Sequence, residues 1–232
     1  MVDVVSTYGN LNTTLLAMEL SQMLVQAMWP QQSPLLQLPG FDADLVHALK
    51  TQGRVEEIGD FMNMDDDLRN KLVPVSDDQM AKLANVCNRY PLVELKYCTE
   101  RGTDDENPVG EYALDEPIEL IVTLQRDEDE DDKEALEVFN KPVFAQFFPE
   151  KKSEEWWVVV GHSQSGRLLA IKKVTNFKAQ ASAEVKLNFV VSESELAAGK
   201  SEAALKIYLI CDSYIGCDLQ EELRVKLAAP AK

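Results

Sequence analysis

The sequence predicts an α+β protein in which a helical unit precedes an antiparallel β-sandwich. Apolar residues recur at helical spacing up to about Tyr90, and from Pro91 onward they alternate with polar residues. A period of three to four residues is typical of helices, whereas a period of two is typical of strands with one buried face. Because no helical pattern separates the predicted strands, the second part should form sheets that pack on one another.

Residues 1–36 are dominated by one predicted helix over residues 13–29. Asn12 or Thr13 can cap its first turn, and Trp29-Pro30 ends it because proline cannot continue a helix. Its apolar residues run around most of the circumference, so neighbouring elements must bury it. We interpret residues 1–36 as the end of a helical bundle.

Residues 37–90 predict a compact helix-loop-helix domain. Asp42 or Asp44 can begin its first helix, and Gly53 ends that helix. The stretch QLPGFDADLVHAL resembles hairpins whose backbone amides bind phosphate, but its aspartates disfavour phosphate and favour a packing role. The predicted short helices cover residues 42–53, 55–62, 65–72 and 76–87.

Residues 91–232 predict about seven short strands with no helix between them. This arrangement is typical of a sandwich of immunoglobulin or fibronectin type. The strands are predicted at residues 93–97, 118–124, 156–160, 168–174, 185–191, 205–211 and 223–227.

The stretch ICDSYIGCD contains two cysteines, Cys211 and Cys217, which could form a disulfide, bind a metal or remain thiols. None of the four cysteines lies in a C-x-x-C motif, and the chain has two histidines, so no zinc-ligand spacing is present. The alternation places Cys211 on an inward strand face and Cys217 at the turn back, where Gly216 can adopt positive φ. We expect two reduced thiols in a structural hairpin, with no metal and no cofactor; a disulfide or a metal site remains the alternative.

Two motifs resemble functional sites but depart from them. In GHSQSG, residues 161–166, Ser165 stands where a nucleophile elbow requires glycine, and strands flank the motif on both sides. The acidic run at 127–137 lacks the glycine and the final glutamate of a calcium loop, and such runs are usually solvated. We therefore expect no catalytic residue; a hydrolase built on His162, Ser163 and Ser165 is the least favoured alternative.

The net charge of −17 argues against broad binding to nucleic-acid phosphates. The chain has 40 acidic and 23 basic residues, whereas phosphate-binding surfaces collect lysine and arginine. RNA binding by this chain is expected to be weak or absent. No apolar run reaches the ~18 residues of a membrane span, so no membrane association is expected.

A protein-binding surface is the class of site that the sequence favours. One of two adjacent tryptophans is expected in the core, and the other is either covered by a loop or exposed as an anchor. Aromatic anchors with a charged rim are typical of protein interfaces. The candidate interface residues are Trp156, Trp157, Phe147, Phe148, Lys151, Lys152, Lys172 and Lys173.

Seven stretches resemble, in order along the chain, the C-terminal Sec sixty-three homology unit of spliceosomal RNA helicases of the Ski-two-like family. The resemblance covers nearly the whole chain and is weakest in the acidic run at 127–137. EEWWVVVG and SYIGCD indicate the second, catalytically inactive helicase cassette. The stretches are VDVVS, AMELSQMLVQAMW, LPGF, NRYPLVEL, FFPEKKSEEWWVVVG, AIKKVT and SYIGCD.

This resemblance implies a bundle end at 1–36, a helix-loop-helix domain at 37–90 and an immunoglobulin-like domain at 91–232. Such helicases unwind the U-four/U-six duplex in the nucleus with ATP bound in their first cassette, and the second cassette regulates and docks proteins. The implied partners are the spliceosomal scaffold Prp-eight and the preceding domains of the same helicase. An RNA-guiding accessory role for 37–90 is the alternative. Because the motor motifs do not occur in this chain, the resemblance assigns it no catalytic residue.

Overall fold

A computed structural model of the chain describes residues 1–102, 109–127, 131–177, 180–196 and 201–228. Residues 128–130 of the acidic run lie outside the described residues. The structure combines helices with largely antiparallel sheets, so the predicted α+β class is confirmed. None of the described helices has the length and apolar character that crossing a membrane requires.

Most of the described helices lie before residue 90, as the spacing predicts, but the helix at Lys133–Glu137 lies among the strands, where no helix was predicted. Single turns of 3-10 helix occur at Pro34–Gln37, Val138–Asn140 and Glu193–Glu195, and a π-helical turn covers Leu49–Gly53. The α-helices are α1 (Val2–Ser6), α2 (Leu11–Gln26), α3 (Ala43–Ala48), α4 (Ile58–Met62), α5 (Asp66–Leu72), α6 (Asp77–Cys87) and α7 (Lys133–Glu137).

The strands of the described residues form two sheets, with orders β1-β3-β6 and β2-β8-β7-β4-β5. Neighbouring strands are antiparallel except β2 and β8, which pair in parallel over two residues. The strands are β1 (Val93–Thr99), β2 (Glu111–Tyr112), β3 (Pro117–Arg126), β4 (Trp156–His162), β5 (Arg167–Val174), β6 (Ser182–Val190), β7 (Glu202–Cys211) and β8 (Leu219–Leu227).

The two sheets face each other across one hydrophobic core. Alternate residues of β3, such as Leu120 and Val122, are fully buried and pack with the inward residues of β4, β6, β7 and β8. Leu35, Phe61 and Leu83 of the helical part belong to the same core. Since one core spans both parts, the proposed division at residues 36 and 90 remains a prediction.

Helix α2 begins and ends earlier than the predicted helix at 13–29. The side chain of Asn10 caps it by accepting a hydrogen bond from the Thr13 N–H at 2.9 Å. It ends at Ala27, whose backbone adopts the left-handed conformation with φ of 52° and stops the helix before Trp29. At the other predicted caps, Asp42 and Ser76 each accept a backbone hydrogen bond, which confirms them as helix starts.

Candidate interaction surfaces

Trp156 and Trp157 are adjacent on β4, and both are buried. Trp156 lies in the core between the sheets, and its indole N–H donates to Glu154 at 2.6 Å. Trp157 faces the opposite side, where α2 covers it. The expectation that one indole lies in the core is confirmed. Because β4 is covered on both faces, neither indole can act as an exposed anchor. Trp156 and Trp157, which the sequence suggested as interface residues, are therefore removed from the candidate surface.

Helix α2 packs one of its faces on the outer side of the five-stranded sheet. Leu11, Ala17 and Met18 form a second, smaller apolar cluster with Trp157 and Val159. This sheet face replaces the helical bundle as the cover for one side of α2. The predicted need for a neighbour is therefore met on that side only.

A second row of apolar side chains lies on the solvent side of α2 and just beyond its end. We name it the apolar stripe: Leu16, Leu20 and Leu24 of the helix, followed by Trp29. Their exposed fractions are 61%, 38%, 63% and 67%. Residues 16, 20 and 24 follow at intervals of four and so lie along one line of the helix. A row of exposed apolar side chains on one helix face favours an interaction site, whereas isolated exposed ones are normal.

A groove of about 530 Å³ runs beside the apolar stripe, between α2 and the connection from β7 to β8. Leu16 lines it on one side, and Ile210 and Ile215 line it on the other. Glu19 and Asp218 add carboxylates to the same groove. The groove therefore offers apolar walls with local negative charge.

Three glutamine side chains join the helical part to the β7–β8 connection. Gln22 donates to the backbone carbonyl of Cys211 at 2.8 Å, and Gln26 donates at 2.8 Å to another carbonyl of this connection. Gln37 donates to the Ile215 carbonyl at 2.7 Å and accepts from the Ile215 N–H at 2.9 Å. We name them the glutamine clamp. Sequence reasoning missed them; the available signal was two glutamines four residues apart on a strongly apolar helix.

The segment before β4 presents the one strongly exposed aromatic ring of the predicted surface. Phe147 is 71% exposed, while Phe148 is half-buried. A hydrogen bond of 2.8 Å from the Val143 N–H to the Lys152 carbonyl holds the segment in a loop. Lys151 is exposed beside it and forms no ion pair with the described residues. Phe147, Phe148 and Lys151 thus remain candidate interface residues.

The other predicted rim lysines are largely engaged within the chain. Lys152 contacts the Asp212 carboxylate, and its ammonium lies 3.7 Å from Glu155. Lys173 pairs with the same Glu155 at 2.7 Å, so the structure brings Lys152 and Lys173 together around one carboxylate. Lys172 differs, since its ammonium donates to a backbone carbonyl of β6.

Basic side chains of the helical part, on which an RNA-guiding role would depend, are also partly engaged. Lys50 pairs with Glu56 at 3.2 Å, and Arg69 contacts Asp66. Arg89 donates to a backbone carbonyl of its own helix at 2.9 Å. Phosphate contacts would have to compete with these bonds.

The cysteines are free thiols in the structure, and Cys211 and Cys217 are buried in the β7–β8 hairpin. Burial, followed by the neighbouring Cys211 thiol, raises the pKa of the Cys217 thiol well above its ordinary value. A thiol held protonated is a poor nucleophile and a poor metal ligand. Within the described ranges, no group of histidine, cysteine and acidic residues has the arrangement of a metal site. Gly216 adopts φ of 89° in the turn, as predicted.

GHSQSG forms a hairpin turn between β4 and β5. The Gly166 N–H donates to the His162 carbonyl at 2.9 Å and closes the turn. His162 Nδ1 lies 2.8 Å from Ser165 Oγ, but no carboxylate in the described part of the chain hydrogen-bonds the ring. A general base without an orienting acid, in a strand-to-strand turn, does not match a nucleophile elbow.

Comparisons with known proteins agree on one family. The family model described as Sec63 Brl domain matches residues 1–224. The U5 small nuclear ribonucleoprotein 200 kDa helicase of Drosophila melanogaster is 37% identical over 226 residues, 97% of this chain and 9% of that protein. The Arabidopsis thaliana DExH-box ATP-dependent RNA helicase DExH13 is 39% identical over 97% of this chain and 10% of its own length. The pre-mRNA-splicing factor brr2 of Schizosaccharomyces pombe is 32% identical over 99% of this chain and 9% of its own length. The chain thus spans about a tenth of each of these relatives.

Proposed function

This chain belongs to the Sec63 Brl domain family, and on that premise we propose that it is a non-catalytic docking and regulatory module of a spliceosomal RNA helicase. The proposal includes its place as the C-terminal Sec sixty-three unit of the second, inactive cassette, with the sandwich as an immunoglobulin-like domain. Its working location would be the nucleus. The similar proteins include a U5 small nuclear ribonucleoprotein helicase and a pre-mRNA-splicing factor, and these names support a role in splicing.

The observation that carries the docking proposal is the apolar stripe of α2. One face of this helix is already packed on the sheet, yet Leu16, Leu24 and Trp29 remain more than half exposed. An apolar row that the described chain leaves uncovered favours contact with another domain. Since relatives are about ten times longer than this chain, we propose the preceding domains of the same helicase as the occupant.

The second proposed surface is Phe147, Phe148 and Lys151, which project from the loop before β4. An exposed aromatic side chain next to Lys151, which has no acidic partner among the described residues, suits a protein partner better than a nucleic acid in a chain of net charge −17. The scaffold Prp-eight is the partner we propose for this surface. Catalysis is not part of the proposal, since neither the thiols nor His162 has the surroundings that chemistry needs.

The test of the docking proposal compares binding by matched variants. The chain is immobilised and offered the separately expressed preceding domains of the helicase, and then purified Prp-eight. The double substitution Leu16→Glu with Leu24→Glu should abolish binding to the helicase domains, whereas Leu114→Glu, at a position 44% exposed outside the stripe, should not. Phe147→Ala should weaken Prp-eight binding alone.

The alternative of an RNA-guiding element is tested on the same preparations. Labelled single-stranded and duplex RNA are titrated at ~0.1 M salt, where screening is close to physiological. Weak or no binding is expected, because the overall negative charge repels phosphates. Tight, salt-sensitive RNA binding together with unchanged protein binding by the stripe variant would replace the docking proposal with the RNA-guiding one.

A further inference from the structure

Strands β5 and β6 each end a sheet, and they lie side by side at one edge of the sandwich. β5 is bonded to β4 on one side, and β6 is bonded to β3 on one side. In the described structure, neither strand has a ladder partner along most of its other side. An open strand edge presents backbone N–H and C=O groups that another extended segment can pair with.

The chain itself already uses the first residues of the β5 edge in this way. Asn10 forms an antiparallel bridge with Arg167, and the Leu168 N–H donates to the Gly9 carbonyl at 2.9 Å. The Leu11 N–H donates to the Gly166 carbonyl at 2.8 Å and completes the pairing. The β5 edge thus pairs with an extended segment at Arg167 and Leu168. The chain then turns away into α2 and leaves the rest of the edge open.

A groove of about 350 Å³ continues from this point between the two edges. Residues 168–172 line one wall and residues 186–188 line the other, with Ser6 and Gly9 at one end. Across the groove, the Lys172 ammonium donates to the Lys186 backbone carbonyl at 3.3 Å. A side chain from the opposite strand thus satisfies a carbonyl on the open side of β6.

The lysines of β5 and β6 differ in their partners. Lys173 is paired with Glu155 at 2.7 Å, and Lys186 is paired with Glu119 at 3.0 Å. Lys172, in contrast, has no carboxylate within ion-pair distance among the residues that the structure describes. With 40 acidic residues in the chain, a cation without an acid beside an open strand edge favours an acidic partner.

We propose that this groove binds an extended, acidic segment of a partner protein, which adds as a strand to the β5 edge beyond Leu168. One carboxylate of the segment replaces the Lys186 carbonyl as the partner of Lys172. The half-buried aliphatic residues of β5, Leu169 and Ile171 among them, give the segment's alternate side chains apolar surface. Lysines on edge strands also prevent indiscriminate pairing, so selection for acidic segments follows from the same residue. This inference deepens the proposed docking function and rests on it.

The probe is a fluorescent peptide of about eight residues, within the usual range of strand lengths, in which glutamate alternates with valine or threonine. Its glutamine counterpart and a version N-methylated at alternate amides are the matched peptides. The acidic peptide should bind and should shift the backbone NMR signals of residues 168–172 and 186–188. The glutamine peptide should bind more weakly, and N-methylation should abolish binding because it removes the strand's donors.

The variants test the cation and its position. Lys172→Glu should weaken binding of the acidic peptide by about tenfold or more, since like charges would then face each other. Lys172→Gln, which keeps the length of the side chain, should have a smaller effect in the same direction. Lys96→Glu makes the same charge change on β1, the opposite edge of the three-stranded sheet, and should change affinity by less than about twofold.

Equal binding of the acidic and glutamine peptides, or unchanged binding by folded Lys172→Glu, would overturn the proposal. Binding that tolerates N-methylation would also overturn it, because the contact would not be a strand addition. If the peptide results contradict strand addition at the groove, but the Leu16→Glu, Leu24→Glu variant still fails to bind the preceding helicase domains, the docking function stands without this site. Loss of both would reject the docking function as well.

Discussion

The side-chain amide of Gln22 lies 2.9 Å from each carboxylate oxygen of Asp218 and so links helix α2 to the β7–β8 connection. The same carboxylate accepts from the Cys211 N–H at 2.9 Å. Part of the Asp218 residue is exposed, but its carboxylate faces the helix. Desolvation there, with Glu19 nearby, outweighs the hydrogen bonds and raises the pKa of Asp218 to about 6.

This raised pKa predicts a stability that falls as pH rises between about 4 and 6. The folded state binds the proton more tightly than the unfolded state, whose aspartate titrates near 4, so the penalty is complete above about pH 6. Because part of the residue is in water, the effect should stay below about 1 kcal/mol. Urea unfolding at a series of pH values measures this dependence. Asp218→Asn should flatten the plot of unfolding free energy against pH between about 4 and 6, whereas Glu221→Gln, exposed on β8, should not. An identical slope in Asp218→Asn would contradict the prediction.

Glu195 should give a pH dependence of the opposite sign. Desolvation opposes its ionisation, but hydrogen bonds from Ser192, Ser194 and Arg167 outweigh desolvation and lower its pKa to about 2. The stabilisation is therefore present above the unfolded pKa of about 4.3 and is lost as pH falls toward 2. Glu195→Gln should be less stable than the parent at pH 7, and the difference should shrink on acidification. A difference independent of pH would reject the assignment.

The strand pattern was predictable because it depends on local alternation. In β3, Ile118, Leu120, Val122 and Leu124 are each fully buried, as a period of two requires. The capping aspartate and serine at residues 42 and 76 were predictable for a similar reason, since a cap and the N–H that it accepts from are three residues apart.

The cover over Trp157 was not predictable, because periodicity identifies apolar faces and not the element that meets them. A signal was nevertheless present in residues 156–160, which are all apolar and all buried. A short continuous apolar run is typical of a strand covered on both faces. That run already disfavoured an exposed indole. The glutamine clamp was hidden for a different reason, since Gln22 and its partner Cys211 are 189 residues apart.

Breaking the ion pair between Arg126 and Glu154 should be strongly destabilising. Arg126 donates to Glu154 at 2.6 Å, both side chains are almost fully buried, and the guanidinium lies between the rings of Phe139 and Phe177. Glu154→Ala leaves a buried charge without its partner and should cost about 3–5 kcal/mol of unfolding free energy. Glu119→Ala, which breaks the exposed pair with Lys186, should cost less than about 1 kcal/mol. If Glu154→Ala and Glu119→Ala lose equal unfolding free energy in chemical denaturation, burial of the ion pair does not determine the effect.

Gly161 permits the close approach of helix α2 to the sheet, and adding a methyl group there should separate them. A Cβ at this position would lie 2.6 Å from one methyl group of Leu11 and 2.7 Å from the other, well inside normal contact distance. Gly161→Ala should therefore destabilise the chain by about 1–3 kcal/mol through overpacking. It should also expose Trp157, measured as a red shift and increased quenching of tryptophan fluorescence.

The double variant Gly161→Ala with Leu11→Ala distinguishes steric conflict from a general effect on β4. Leu11→Ala alone removes buried apolar volume and should itself cost about 2–5 kcal/mol. If the new methyl group fills the space that Leu11 vacates, the two losses will be less than additive, with a coupling of about 0.5–3 kcal/mol. Strict additivity would mean that the methyl group acts elsewhere, and that the helix–sheet contact does not depend on a glycine at residue 161.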